Sequence, residues 1–149
     1  MTTAPDTRDM SGLALLQSFL AAGTRPPMIE LMDFTLVEIE PGRAVFEGEP
    51  KATMLNPMGS VHGGYAATIL DTACGCAVHA HLDADQSFTT LELKVSYLRG
   101  LSAQSGRVRA EGRTISIGKR VAFAEATLTD DQGRICATAT STLMVFGTT

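Results

Sequence analysis

The chain has 149 residues, 44% of them hydrophobic and 19% charged, with a formal net charge of −4 at neutral pH. That size and balance fit one globular domain, residues 1–149, with its own core, and they exclude general nucleic-acid binding, which needs a basic surface. No apolar run approaches the ~20 residues that a membrane-spanning helix needs, and Cys74, Cys76 and Cys136 are too few for a disulfide framework.

The opening M-T-T-A-P-D-T-R-D lacks the basic and apolar regions of a signal peptide. A cytoplasmic protein is therefore expected, with residues 1–9 disordered. Residues 11–22, S-G-L-A-L-L-Q-S-F-L-A-A, read as a short amphipathic helix capped by Ser11 and ended by Gly23 and Pro26-Pro27. D-F-T-L-V-E-I-E (33–40) alternates apolar and polar residues as a strand does. Pro41-Gly42 is a turn, and R-A-V-F-E-G-E returns as the second strand of a hairpin.

Residues 51–61 form a loop holding Asn56, Pro57 and Gly59. From His62 to about His81 the chain reads as one long helix, apolar almost all round and therefore buried. Its many small residues allow neighbouring backbones to approach closely. The period then changes to two: T-T-L-E-L-K-V-S-Y-L (89–98) places Leu91, Leu93, Val95 and Tyr97 on one face. Further strands are predicted over 105–115, 119–129 and 134–146, with a hairpin turn at Asp130–Gly133. The order is helix, two strands, long helix, four strands. An α+β architecture fits it, an antiparallel sheet wrapped around one buried helix.

Charge is unevenly spread along the chain. Residues 94–120 carry Lys94, Arg99, Arg107, Arg109, Arg113, Lys119 and Arg120 against the single acid Glu111, whereas the first fifty residues hold eight of the sixteen acids. Such a segment suits a small polyanion, or else is simply a solvated face of strands.

The stretch with most chemical content is N-P-M-G-S-V-H-G-G-Y-A-A-T-I-L-D (56–71). A helix start offers unpaired N–H groups and the positive end of a dipole. Glycine there lets a ligand oxygen reach the N–H without a Cβ in the way, so Gly63 is a candidate for stabilising an oxyanion. Asp71 is a carboxylate inside an apolar helical run, which calls for either a partner such as Thr68 or Thr72 or a task. Asn56 before Pro57 is also an ordinary turn residue, and His62 can act as a helix cap. His79, His81, Cys74 and Cys76 are spread around the helix and form no metal motif. No metal or cofactor is expected, and no G-x-S-x-G or P-loop occurs.

Asn56, Gly59, His62-Gly63-Gly64 and Asp71, with G-K-R (118–120) and D-x-x-G (130–133) downstream, resemble the hotdog-fold acyl-CoA thioesterases of the phenylacetate-pathway type. The likeness spans roughly residues 30–146. It implies that Asn56 and the Gly63 N–H polarise the thioester carbonyl, and that His62 positions the loop. It also implies that Asp71 activates water or attacks the carbonyl, assisted by a hydroxyl on the next strand. Aligning E-L-K-V-S-Y puts that hydroxyl at Thr90, whereas counting from Asp71 puts it at Thr89. Substrate-binding positions are expected at Gly64 and among Lys119, Arg120, Arg99 and Arg113. Lys119 and Arg120 are favoured because they follow the Gly118 turn.

Two other readings stand beside hydrolysis. A hotdog hydratase or dehydratase resembles a motif with histidine five positions after the Asp, where this chain has Cys76. A non-catalytic acyl-CoA binding module is the other. Gly63 and Asp71 are eight residues apart, about 12 Å of helix, whereas an attacking group must lie within about 3–3.5 Å of the carbonyl. If both act, one site must join two subunits. A homodimer at least, and a dimer of dimers by resemblance, is therefore expected, with acyl-CoA as the ligand and neither nucleic acid nor membrane as a partner.

Overall fold

A computed structural model describes residues 7–147. The elements are α1 (Gly12–Ala22), α2 (Pro27–Met32), β1 (Phe34–Glu40), β2 (Arg43–Gly48), α3 (Gly63–His79), β3 (Gln86–Tyr97), β4 (Val108–Ile117), β5 (Val121–Thr129) and β6 (Ile135–Gly147). The six strands form one antiparallel sheet in the order β1-β2-β4-β5-β6-β3. The sheet curls around α3, which touches every strand. No helix among the described residues is long and apolar enough to cross a membrane.

Of the segment expected to be disordered, residues 1–6 lie outside the described residues, and Thr7–Asp9 form a turn of 3-10 helix instead. Ser11 caps α1 as read from the sequence: its Oγ accepts the Ala14 N–H at 3.2 Å. Gly23 ends the helix with φ +66°, a conformation that favours glycine. The sequence reading missed α2. Pro26-Pro27 does end α1, but Pro27 also sits where proline starts a helix best, needing no N–H and bringing a suitable φ.

The core lies between α3 and the inner face of the sheet. Ile69, Leu70, Ala73, Cys74, Ala77 and Val78 are buried against Ala110, Ala122, Ala124, Leu128 and Leu143. The fit is closest at Gly112 of β4. A Cβ there would stand 2.2 Å from the Ala73 carbonyl oxygen, so the helix backbone rests directly on the strand.

One expectation about β3 is corrected. Leu91 does not join the row of Leu93, Val95 and Tyr97. The pairing with β6 passes from Thr90↔Leu143 to Glu92↔Thr142, which leaves Leu91 as the extra residue of a β-bulge, 56% exposed. The bulge switches the alternation, so Phe88 and Thr90 share the inner face with Leu93 and Val95. β3 is also an edge strand twelve residues long, and β1 forms the other edge.

Candidate active site

Residues 55–63 are held as a closed loop at the start of α3. Leu55 and Val61 form an isolated bridge, the Asn56 N–H donates to the Ser60 carbonyl at 2.8 Å, and the His62 N–H donates to the Met54 carbonyl at 2.7 Å. Asn56 Oδ1 accepts the N–H groups of Met58 (3.0 Å) and Ser60 (3.1 Å). The turn reading is therefore correct, and it has a chemical consequence. With Oδ1 engaged by two donors, the amide orientation is fixed and Nδ2 is left as the donor available to a ligand.

His62 is the N-cap of α3. Its Nδ1 accepts the Gly64 N–H at 2.8 Å, which leaves Nε2 as the ring nitrogen not engaged by the cap. Gly64, expected to bind substrate, has its N–H taken by this cap. The Gly63 N–H has no partner among the described residues and stands first in the helix, where the dipole favours negative charge. Its carbonyl accepts the Tyr97 hydroxyl at 2.6 Å. Tyr97 thus ties the helix start to the far end of β3, a role hidden in the sequence because Tyr97 reads there as one more apolar strand position.

Asp71 is half-buried on α3, and Thr90 Oγ1 donates to its Oδ1 at 3.0 Å. The bulge at Leu91 is what turns Thr90 toward the helix, while Thr89 is exposed and paired to Met144. Thr68 and Thr72 do not satisfy the carboxylate, because each donates to the carbonyl four residues back. No cation pairs with Asp71 among the described residues. Nor do any three His, Cys, Asp or Glu side chains gather as a metal cluster there.

A cavity of about 180 Å³ beside Gly63 is lined also by His62, Tyr97, Leu98 and Arg99, and Asp71 is not part of its wall. Within one chain, therefore, Gly63 and Asp71 do not meet. Arg99 is the expected phosphate ligand that lies at this cavity. Lys119 and Arg120 occupy the β4–β5 turn. Arg113 is paired with Glu111, and Arg107 and Arg109 with Glu47. Arg109 and Arg43 also hold Glu38, at 3.1 and 2.7 Å. Hydrogen bonds from Arg109 and then Arg43 keep the Glu38 carboxyl below its ordinary range. Two of the seven cations, Arg107 and Arg109, are thus neutralised by acids of the first hairpin, and Arg113 by Glu111 of its own strand.

The thiols give no nucleophile. Burial, and after it the charge of Asp71, pushes Cys74 and Cys76 up to about 12.

A curved antiparallel sheet wrapped around one long helix defines the hotdog fold. The chain belongs to the thioesterase superfamily, whose family model matches residues 58–137; it is a thioester hydrolase. It is 27% identical over 116 residues to the 1,4-dihydroxy-2-naphthoyl-CoA hydrolase of Listeria monocytogenes, covering 78% of this chain and 93% of the relative. Among solved structures it resembles a phenylacetic acid degradation-related protein of Ralstonia eutropha (TM-score 0.78, 28% identity, 87% of this chain and 98% of the other). It also resembles a Streptococcus mutans protein solved with acetyl-CoA bound (TM-score 0.71, 27% identity, 77% and 90%).

Proposed function

We propose that this protein, as one catalytic domain in the cytoplasm, hydrolyses acyl-CoA thioesters at a site shared between two copies of the chain. The observation that carries the reading is the Thr90–Asp71 hydrogen bond, on a carboxylate with no cationic partner, in a member of the thioesterase superfamily. Asn56 Nδ2 and the Gly63 N–H of one copy polarise the carbonyl, with His62 fixing the loop. Asp71 of the other copy activates water or attacks the carbon, steadied by Thr90. Two of the relatives named above act on or bind a CoA ester by their own descriptions, which supports the choice of thioester.

The unpaired edge of β3 favours the shared site. Thr90 stands at Asp71 and Tyr97 stands at Gly63. With Leu91 bulged out of the ladder, the midpoint between positions 90 and 97 falls on Lys94. Two β3 strands paired antiparallel about that point would set Thr90 of one copy beside Tyr97 of the other, and so Asp71 beside Gly63. The exposed Val121, Phe123, Met144 and Phe146, on β5 and β6, would supply a second interface for a dimer of dimers. Coenzyme A phosphates would meet Arg99 at the cavity and Lys119 and Arg120 on their turn, with Gly64 close to the bound thioester.

The test is Asp71→Asn, which keeps the size of the side chain and removes its charge. Thiol release from acyl-CoA should fall by about 10²-fold or more in a protein with unchanged melting temperature. Near-normal turnover would remove Asp71 from the chemistry. Tight acyl-CoA binding without turnover by the natural sequence would make it a binding module, and water addition to an enoyl-CoA would make it a hydratase.

A further inference from the structure

We propose that Tyr97 is a positioning residue for the oxyanion donor: with His62 it holds the Gly63–Gly64 peptide at both ends, and so fixes the direction in which the Gly63 N–H points. This rests on the thioester reading above.

A helix that starts on two glycines has little stiffness of its own. Glycine leaves the backbone freer than any other residue, and helix ends fray. Here the peptide between Gly63 and Gly64 is tied twice. The Tyr97 hydroxyl donates to its carbonyl oxygen at 2.6 Å, and its N–H donates to His62 Nδ1 at 2.8 Å. The two bonds run in series through one amide, so each polarises the other, and turning the peptide breaks both at once. The preceding neighbour is pinned as well, because the His62 N–H donates to the Met54 carbonyl at 2.7 Å. The peptide that carries the Gly63 N–H lies between these two held units, and its N–H is left with one direction. Both glycines make room for this arrangement. A Cβ on Gly63 would stand 3.1 Å from the Tyr97 hydroxyl oxygen and 3.2 Å from the ring carbon that bears it, and a Cβ on Gly64 would stand 2.9 Å from His62 Nδ1.

Tyr97 can serve as the fixed point because its own backbone is fixed. It pairs with Ala137 at the end of β3, and the next two N–H groups, of Leu98 and Arg99, both donate to the Cys136 carbonyl, at 2.8 and 3.0 Å. His62, Gly63 and Tyr97 also line one cavity, so the held peptide borders the space that a carbonyl oxygen on the Gly63 N–H would enter. With 57% of its surface exposed, Tyr97 adds little to the core, and losing its hydroxyl leaves the buried contacts intact. The bond therefore bears on the aim of the donor more than on folding. A donor already aimed stabilises an oxyanion without reorganising as the charge develops; one free to swing stabilises it less.

The test is Tyr97→Phe, which keeps the ring and removes only the hydroxyl. With acetyl- and octanoyl-CoA as substrates, kcat should fall roughly 3- to 10-fold, the contribution of one hydrogen bond, and KM should change by less than about twofold. The melting temperature should stay as it is. A second readout uses Asp71→Asn, which holds the ester without turning it over, and acetyl-CoA labelled at its carbonyl carbon. The infrared carbonyl stretch of the bound ester should lie below that of the free ester, and adding Tyr97→Phe should take back about half of that shift or more. A merely structural role would not move it. In the ligand-free protein, hydrogen exchange at the Gly64 N–H should quicken roughly threefold or more in Tyr97→Phe. An unchanged kcat or an unchanged carbonyl stretch in the folded variant would overturn the inference. No turnover of either ester by the natural sequence, or no carbonyl shift in Asp71→Asn itself, would sink the thioester reading instead. Exchange at Gly64 then decides the double tie alone, since it needs no ligand: faster exchange supports it, and an unaltered rate refutes it.

Discussion

If the oxyanion donors and the carboxylate come from different copies, two inactive variants should repair each other. Asp71→Asn removes the carboxylate and Asn56→Ala removes a polarising amide, a loss of about 10²–10³-fold for an oxyanion donor. Mixed in equal amounts and allowed to exchange, half of the dimers should be mixed. Each mixed dimer contains one site with both natural residues and one site with neither. The mixture should therefore recover about a quarter of the natural activity per chain, against about a hundredth or less for either variant alone. The number follows from the ~12 Å of rigid helix between Gly63 and Asp71, which forbids an intact site within one chain. Thiol release from an acyl-CoA reads the activity, and mass spectrometry of differently tagged copies reads the exchange. Exchange to half-mixed dimers with activity no greater than the sum of the two variants would refute the shared site.

Thr90→Val keeps the shape and removes the hydrogen bond to Asp71. A bond to a charged group contributes about 1.5–3 kcal/mol, so kcat should drop roughly 10- to 100-fold with KM little changed, while Thr89→Val should do neither. Gly112→Ala drives a methyl into the α3 backbone at Ala73 and should destabilise the fold by about 1–3 kcal/mol, seen as a lower urea midpoint with an unchanged slope. Glu38 and Asp33 are held below their ordinary values of 4.5 and 3.8 by hydrogen bonds, from Arg109 and then Arg43 for Glu38 and from Lys51 and then Arg25 for Asp33. A lowered folded pKa contributes stability above the unfolded value that is lost as pH falls through the folded one. The melting temperature should therefore decline as pH drops below about 4.5, and less so in Arg109→Gln; a flat acid limb would show that these pairs contribute nothing.

Local chemistry was legible in the sequence, and long-range placement was not. The Ser11 cap, the start of α3 at His62-Gly63 and the hairpin at Pro41-Gly42 are decided by residues within a turn of one another. The bulge at Leu91 is not, because T-T-L-E-L alternates well enough to read straight through. Only the register against β6 reveals it, and with it the choice of Thr90 over Thr89. The basic run over 94–120 looked free because its acids, Glu38 and Glu47, lie some sixty to seventy residues earlier. The adjacency of β1, β2 and β4 brings the two sets together, which, with Arg113 held by Glu111, leaves Lys94, Arg99, Lys119 and Arg120 without an acidic partner among the described residues.

The same rigid helix that prepares the site also divides it. Asp71 cannot move toward Gly63 without unwinding two turns of α3 whose Tyr65, Ala66, Ile69 and Leu70 fill the core. Fixed positions favour catalysis, since donors that are already in place need no reorganisation as charge develops, but on the proposed reading they leave each chain with two half-sites. An edge strand as long as β3 is a hazard in a free chain, because its unpaired groups invite another strand. Pairing two copies along it, as proposed, would remove the hazard and join the half-sites in one step, and Tyr97, holding Gly63 from β3 itself, would carry the proposed oxyanion donor along with the strand that pairs. On this view the stability of the dimer and its catalysis are linked: a substitution that weakens β3 pairing, such as Leu93→Pro, removes activity even though every catalytic side chain is intact.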